Sequence, residues 1–468
     1  MIDLKNLTIM KAHEALVSGE YTARDLAEAY LKNIKEKNPE LNAYLEVFDD
    51  VLEQADKADL RIKSGEKDNL LLGIPIAIKD NLLVEGRRVG AASKILEGYV
   101  APYTGTAIGK LIERGVVLLG RTNMDEFAMG GSTEKSAYGV TKNPNDLTRV
   151  PGGTSGGSAA AVASNMALAA IGSDTGGSIR QPSAFCGTVG MKPSYGAVSR
   201  HGLIAAVSSF DQIGPITKTI EDSEIIFDCI RGVDAYDATT KELANHKKPR
   251  KKIGVMQSLI EVDGIDPEVK KNFNDSLENF KNAGYEIVDI DLPNISFALS
   301  IYYIINPAEI SSNMARFDGV RFGAKVEGDN LLADYMKTRG ELLGAEVKRR
   351  IMIGTYVLSA GYYDSYYGKA GKVRELIKDD FAKVFKTVDA VLTPTTPSPT
   401  FKIGEKSGNP LEMYLADIFT VTANLAGIPA ISIPSGQTAS GLPLGIQLMG
   451  PYGEDNLLFE IGKDFEKR

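Results

Sequence analysis

Apolar residues follow different patterns in the N-terminal and central parts of the chain. After the helix start Thr22–Asp25, Leu26 and Ile34 share one helical face among charged residues. Further along, the apolar segments become short and are separated by glycines, which is typical of buried strands. The sequence therefore predicts an N-terminal helical segment over residues 1–65 and a single larger domain over residues 66–468.

A strand, a helix and a second strand follow one another in the second half of the chain. Lys252–Met256 is an apolar strand candidate, Asp266–Pro267 is a typical helix start, and Glu286–Leu292 alternates like a strand. This order predicts that the two strands pair in parallel with a right-handed crossover. We expect an inserted or peripheral region at about 245–345, joined to the core by the basic run His246–Lys252.

The C-terminal part of the chain completes the predicted fold. Residues 341–386 have helical spacing, and residues 389–394, 423–434 and 443–449 have the composition of further core strands. Strands and helices in this mixture predict an α/β fold. In that fold, helices cover both faces of a mixed, twisted and mostly buried sheet.

Composition and charge narrow the class of protein. The 468 residues are 43% hydrophobic and 24% charged, as in an ordinary soluble globular protein. A net charge of -8 argues against a nucleic-acid groove built by this chain alone. Cys186 and Cys229 are too few for a disulfide framework. With a polar start and no apolar run of membrane-spanning length, the sequence predicts a cytoplasmic protein without a membrane partner.

Candidate chemistry begins with Lys79, which ends the apolar run Gly73–Ile78. Burial lowers the pKa of a lysine, and a neutral amine can act as a general base. An isolated lysine in this position is more often a snorkelling side chain or the ion-pair partner of a neighbour such as Asp80.

The second candidate is Ser178, in a glycine-rich turn that follows Asp174. The backbone N–H groups from Thr175 through Gly176 and Gly177 to Ser178 could converge as an anion-binding nest. Next to a nucleophile, such a nest would serve as an oxyanion hole. For a lone Gly-Gly-Ser segment, a tight turn with a capping serine would be the better explanation.

Thr154 and Ser155 lie in a second glycine-rich turn, ahead of an alanine-rich helix candidate. One of these hydroxyls could relay a proton between Lys79 and Ser178, or both could simply begin the helix. Gly153–Gly157 also fits the nucleophile elbow of α/β-hydrolases, but that motif needs a hydrophobic strand before it and a later histidine.

Few residues support other kinds of site. The histidines, which are His13, His201 and His246, are too few and too scattered to favour a Ser-His-Asp triad or a histidine metal site. The sequence has no G-x-x-x-x-G-K-[ST] phosphate loop and no Cys/His spacing typical of a metal site.

The lysine and the two glycine-rich segments, in this order and spacing, resemble the amidase signature family. The resemblance implies the fold of that family. It also implies a triad of a lysine, a hydroxyl residue after a cis peptide, and a nucleophilic serine. These roles fall on Lys79, Thr154 and Ser178, with Ser155 and Asp174 as supporting neighbours. The family usually has serine where Thr154 stands, and threonine keeps the hydroxyl while adding a methyl group.

Four more segments, residues 120–134, 311–321, 346–356 and 414–421, are similar to the A-subunit family of the tRNA-dependent amidotransferases. In that family a tyrosine, an arginine and an aspartate hold glutamine, and motif position assigns these roles to Tyr302, Arg350 and Asp417. An arginine can pair bidentately with the α-carboxylate, and an aspartate can accept from the α-ammonium. The residues alone do not separate Arg350 from Arg349, or Tyr302 from Tyr303.

The resemblance also implies partners. The family supplies ammonia from glutamine to a B subunit, in a complex with a C subunit, and ATP and Mg²⁺ act on misacylated tRNA in the partner. We therefore expect no cofactor or metal in this chain. Glu-tRNA(Gln) and Asp-tRNA(Asn) both remain open as substrates of the complex. A stand-alone amidase with another amide substrate and a non-catalytic interaction subunit are the alternatives.

Overall fold

The structure, a computed structural model, describes residues 2–243, 249–261, 264–406 and 410–467. Its strands are, in chain order, β1 Tyr44–Val47, β2 Pro75–Lys79, β3 Val117–Thr122, β4 Ala169–Asp174, β5 Val189–Lys192, β6 Gln212–Thr217, β7 Lys252–Val255, β8 Glu286–Asp289, β9 Ala390–Pro394, β10 Ala430–Gln437 and β11 Pro443–Met449. They form one sheet of 11 strands in the order β1-β3-β2-β4-β6-β5-β10-β11-β9-β7-β8.

Sixteen helices are described. They are α1 Ile9–Ser18, α2 Ala23–Leu41, α3 Val51–Lys63, α4 Thr106–Glu113, α5 Gly156–Ala163, α6 Arg180–Cys186, α7 Ile220–Ile230, α8 Gln257–Ile260, α9 Pro267–Asn282, α10 Ala298–Asn313, α11 Leu331–Leu342, α12 Ala345–Leu358, α13 Lys369–Val384, α14 Pro410–Leu415, α15 Val421–Ala426 and α16 Asp455–Glu466. Within the described part of the chain, none of them has both the length and the apolar composition that crossing a membrane requires.

The sheet is mixed, and its middle is buried. β2 pairs in parallel with both β3 and β4, whereas β4 and β6 are antiparallel. Every residue of β2, β4, β6, β9 and β11 is buried, so both faces of these strands are covered. The predicted α/β fold with a mixed sheet is confirmed. Because β2 and β4 are parallel neighbours, Lys79 and Asp174, their last residues, lie at the same edge of the sheet.

The strand–helix–strand unit of the second half is present as predicted. β7 and β8 pair in parallel, and β7 also pairs in parallel with β9, so this region extends the main sheet. The α9 helix begins where the sequence indicates, since the side chain of Asp266 accepts from the backbone N–H of Glu268 at 2.8 Å. His246, in the predicted basic linker, lies outside the described residues.

Two elements differ from the sequence prediction. The mostly helical N-terminal stretch also contains β1, which pairs antiparallel with β3. The predicted strand over residues 423–434 begins as a helix, because α15 continues to Ala426 and ends at Gly427, whose φ is 73°. All residues of α15 are buried, and a short apolar run that is buried on every side has the same composition in a helix and in a strand.

Candidate active site

Lys79 is completely buried and points its amine at a group of hydroxyls. Its Nζ lies 2.6 Å from Oγ1 of Thr154, 2.8 Å from Oγ of Ser155 and 2.9 Å from Oγ of Ser173. Thr154 and Ser155 immediately precede α5, and Ser173 lies on β4 beside Lys79. The structure thus brings the predicted base and both predicted relay hydroxyls into direct contact.

Burial sets the protonation of this amine. It lowers the pKa of Lys79 to about 7, although the carboxylates of Asp125, Asp174 and Asp211 act in the opposite direction. Asp211 accepts from the hydroxyl of Thr175 at 2.7 Å, and burial raises its own pKa to about 6. A large fraction of the Lys79 amine is therefore neutral at pH 7 and able to accept a proton.

The turn that carries Thr154 is tightly enclosed. The Gly153–Thr154 peptide is cis, and the Gly153 N–H donates to Oε1 of Gln181 at 2.9 Å. A Cβ atom on Gly153 would lie 2.4 Å from the backbone nitrogen of Ser132, so no other residue fits without movement. This packing fixes where the Thr154 hydroxyl meets Lys79.

Ser178 is placed beside the same turn, but its hydroxyl is not bonded to it. The Ser155 N–H donates to the carbonyl of Ser178 at 3.1 Å, which joins the two glycine-rich segments through their backbones. The Oγ of Ser178 has no hydrogen-bond partner among the described residues, and the residue is 8% exposed. The predicted link between Ser178 and Thr154 is therefore not formed as a hydrogen bond in this structure.

The predicted oxyanion donors are arranged differently from the expectation. The Gly177 N–H donates to Oδ1 of Asp174 at 2.9 Å, so it is already engaged. The N–H groups of Thr175, Gly176 and Ser178 have no hydrogen-bond partner within the described ranges. The hydroxyl of Thr175 donates to Asp211. Of the predicted nest, Thr175, Gly176 and Ser178 therefore offer free donors, while Gly177 anchors the turn.

Asp174 is held in turn by Arg180, and both side chains are fully buried. The Arg180 guanidinium contacts both carboxylate oxygens at 2.9 and 3.0 Å, and also reaches Thr420, Asn424 and Gln447. Burial alone would raise the pKa of Asp174, but the charge and hydrogen bonds of Arg180 outweigh it and hold the pKa below its usual range. The turn that carries Ser178 is therefore held by a buried ion pair.

Arg350 and Tyr302, two predicted substrate contacts, belong to one hydrogen-bonded chain. Arg350 donates to Glu346 at 2.7 Å and to Oδ1 of Asn306 at 3.0 Å, and Asn306 donates to the hydroxyl of Tyr302 at 3.0 Å. A Cβ on Gly176 would lie 2.2 Å from that hydroxyl. Tyr302 therefore links Arg350 to the turn that carries Ser178.

Asp417, the third predicted substrate contact, is partly buried and lies near the first turn of α6. It accepts from the Tyr303 hydroxyl at 2.8 Å and lies 3.4 Å from Nε2 of Gln181. Burial raises its pKa to about 7, opposed by the Tyr303 hydroxyl and by Arg350. The ring of Tyr303 stacks on Tyr414 with centroids 3.6 Å apart. Both neighbouring tyrosines therefore contact this region, since Tyr302 packs against the turn that carries Ser178 and the hydroxyl of Tyr303 donates to Asp417.

Several side chains of the site carry no signal in the sequence that marks them. They are Gln181, Arg180, Tyr303, Asn306 and Glu346. Gln181 and Arg180 directly follow the Ser178 motif, which was the one available pointer to them. Over the described ranges, no group of three or more His, Cys, Asp or Glu side chains could hold a metal ion.

Comparison with known proteins agrees with this geometry. A family model described as amidase matches residues 25–459. The chain belongs to the amidase family. Among solved structures of this family, it is similar to the peptide amidase from Stenotrophomonas maltophilia, with a TM-score of 0.84 and 28% identity, over 100% of this chain and 97% of that one.

Other amidase-family relatives are more similar in sequence. The chain is 48% identical to the A subunit of the glutamyl-tRNA(Gln) amidotransferase of Desulfatibacillum aliphaticivorans, over 99% of this chain and 97% of that protein. The corresponding A subunit of Thermotoga maritima matches in structure with a TM-score of 0.83 and 43% identity, over 100% of this chain and 96% of that chain. The predicted resemblance to the amidase family, to its fold and to the A subunits of the tRNA-dependent amidotransferases is confirmed.

Proposed function

We propose that this chain is the glutamine-hydrolysing subunit of a tRNA-dependent amidotransferase. One observation carries the proposal, namely that the polar groups suited to an amino acid are joined to the nucleophile turn. Tyr302 packs against Gly176 next to Ser178, and Gln181 in the first turn of α6 reaches Asp417. The similarity to the A subunits of glutamyl-tRNA(Gln) amidotransferases over nearly the whole chain supports the same activity.

Glutamine fits the charges of this region. The guanidinium of Arg350 pairs with the α-carboxylate, since Nη2 has no partner among the described residues. Asp417 accepts from the α-ammonium, and Tyr302 keeps the substrate next to the turn. The side-chain amide then extends towards Ser178.

Catalysis follows from the order of the hydroxyls. Neutral Lys79 takes the proton of Thr154, which takes the proton of Ser178 as the Ser178 oxygen attacks the amide carbon of glutamine. The free N–H groups of Thr175, Gly176 and Ser178 stabilise the oxyanion. Collapse of the tetrahedral intermediate breaks the C–N bond, and the proton returns to the leaving nitrogen, so that ammonia departs. Water then attacks the glutamyl ester by the same relay and releases glutamate.

The released ammonia serves a partner. In this proposal a B subunit, assembled with a C subunit, activates misacylated Glu-tRNA(Gln) with ATP and Mg²⁺ and accepts the ammonia. This chain binds no cofactor of its own. Its net charge of -8 agrees with tRNA being bound mainly elsewhere in the complex.

The test measures ammonia release from glutamine by the purified chain, with and without co-expressed partner subunits, tRNA and ATP. Release that needs these partners, or rises sharply with them, is the expected result. Ser178→Ala should abolish it while leaving the complex assembled. Turnover that survives in Ser178→Ala would contradict the assigned nucleophile.

A stand-alone amidase is the second candidate, because the triad does not specify the amide. Under that alternative, other amides would be hydrolysed without partners, and Arg350→Ala would leave the turnover of glutamine unchanged. Failure of every serine-reactive probe to label a chain that still assembles would instead favour a non-catalytic role.

A further inference from the structure

Gln181 lies between the turn that carries Thr154 and the carboxylate of Asp417, which have separate roles in the proposed mechanism. Its Oε1 accepts the Gly153 N–H at 2.9 Å, and its Nε2 is 3.4 Å from Oδ1 of Asp417. Gln181 is 1% exposed, so water does not compete for its contact with Gly153. One amide therefore touches both the turn that carries Thr154 and the carboxylate proposed to hold the substrate ammonium.

The two neighbours fix the orientation of this amide. A backbone N–H can only donate, so Gly153 requires the amide oxygen, and an ionised Asp417 can only accept, so it requires the amide nitrogen. A glutamate at position 181 keeps the acceptor for Gly153 but loses the donor. A methionine is of similar length and offers neither group.

The Gly153 contact bears directly on the relay. On one side the turn is packed so closely that a Cβ on Gly153 would lie 2.4 Å from Ser132 N and 2.6 Å from Oδ2 of Asp125. On the other side it is held by Gln181. Loss of that hydrogen bond removes the only side-chain contact described for the Gly153 N–H, next to Thr154, so we expect the Thr154 hydroxyl to move relative to Lys79.

We propose that Gln181 is a positioning residue that couples Asp417 to the Thr154 turn. A substrate ammonium at Asp417 fixes the carboxylate, the carboxylate fixes the Gln181 amide, and the amide holds Gly153. The inference rests on the proposed function, because Asp417 meets an ammonium group only when the substrate is an amino acid amide. Gln181 itself touches no reacting atom.

The test compares Gln181→Met with the wild-type chain, each purified with its partner subunits. Three sets of quantities are measured: kcat and KM for glutamine, the same constants for glutaramate (glutamine without its α-amino group), and the rate of Ser178 labelling by a fluorophosphonate probe. We expect Gln181→Met to lower kcat and the labelling rate about tenfold, the effect of one lost hydrogen bond. The KM should rise for glutamine only.

Two further variants separate positioning from general stability. When Asp417→Asn is already present, adding Gln181→Met should no longer raise the KM for glutamine, but it should still lower the rate of Ser178 labelling. The effects of the two substitutions on KM would then be non-additive. Gln54→Met is the matched control, since Gln54 also joins a carboxylate, Asp50, to a backbone group, Leu118, but outside the site. It should leave all of these quantities unchanged.

The outcomes decide the proposal. Wild-type kinetics and labelling in Gln181→Met, or KM effects that simply add in the double variant, would overturn it. If Gln181→Met does not fold, Gln181→Glu takes its place. In that variant Ser178 should be labelled at the wild-type rate, and the KM for glutamine should be raised. Equal losses in every measured quantity would overturn the coupling. A wild-type complex that labels but ignores glutamine would instead refute the proposed function, and this inference with it.

Discussion

The Nζ of Lys79 and the Oγ1 of Thr154 are 2.6 Å apart, whereas the Oγ of Ser178 has no hydrogen-bond partner among the described residues. The predicted base and the predicted bridging hydroxyl are therefore in contact, and Ser178 is the member of the predicted triad that is not joined to them. Catalytic hydrogen bonds often tighten only in the complex with substrate. In the proposed relay the Thr154 hydroxyl carries the proton, and the methyl group that distinguishes it from serine takes no part.

A comparison of Thr154→Ser with Thr154→Val tests this dependence. Serine keeps the hydroxyl, so the variant should retain kcat for glutamine within a few-fold. Valine keeps the shape but has no hydroxyl, and we expect kcat to fall about 10²- to 10⁴-fold, the range of general acid–base effects. Steady-state ammonia release measures both. Equal activity in the valine variant and the wild type would remove Thr154 from the mechanism.

The pH dependence of two different measurements distinguishes the protonation of Lys79 from that of Asp417. Burial lowers the pKa of Lys79 to about 7, and only the neutral amine accepts a proton, so fluorophosphonate labelling of Ser178 should rise with pH and level off above about 7. Burial raises the pKa of Asp417 to about 7, and only the carboxylate attracts an ammonium. The KM for glutamine should therefore fall as pH rises through the same range.

Asp417→Asn is the control for this experiment. It should flatten the change of KM with pH while leaving the labelling profile intact, because the probe carries no ammonium group. A labelling rate independent of pH between 6 and 9, well on either side of the Lys79 value, would contradict Lys79 as the base.

The sequence predicted those residues of the site whose chemical type and local backbone geometry leave a pattern along the chain. A lysine at the end of an apolar strand, and hydroxyls in turns that only glycine permits, marked the neighbourhood of Lys79, Thr154 and Ser178. Gly177 shows the reason, since its φ of 128° is a backbone conformation that residues with a side chain rarely adopt. This constraint is local, so it leaves a pattern in the sequence.

The contacts that support the site could not be predicted in this way. Asp417 and Gln181 are 236 positions apart, and Arg350 and Asn306 are 44 apart. Such pairs depend on how helices and turns that are distant in the sequence pack together, which apolar spacing does not specify. The strand prediction for residues 423–434 includes the end of α15, because a short run that is buried on every side can have the same composition in a helix and in a strand.

Arg350→Lys tests the substrate clamp, with Arg349→Lys as its matched control. Lysine keeps the charge, but its donors all lie on one nitrogen, so it cannot reproduce the separate Nε and Nη1 contacts and also pair bidentately with a carboxylate. We expect kcat/KM for glutamine to fall about 10- to 100-fold. Arg349 is bonded to Glu346 and Tyr414, so Arg349→Lys should change kcat/KM little. Similar losses in both variants would refute the assignment of Arg350.

Arg180→Met tests whether the nucleophile turn depends on the buried ion pair. Removal of the guanidinium leaves the fully buried Asp174 without a counter-charge, and breaking such a pair costs about 3–5 kcal/mol. Urea unfolding should show that loss. Arg24→Met, which removes an exposed ion pair with Asp56, should leave the midpoint nearly unchanged.

A double variant distinguishes the charge from the structure it holds. Adding Asp174→Asn to Arg180→Met removes both buried charges, so part of the lost stability should return. Labelling of Ser178 should not return, because an asparagine cannot accept from the N–H groups of both Gly177 and Ile179, as the carboxylate does at 2.9 and 3.1 Å. Recovery of labelling together with stability would mean that the turn is held by packing, and that the Asp174 carboxylate does not position the nucleophile.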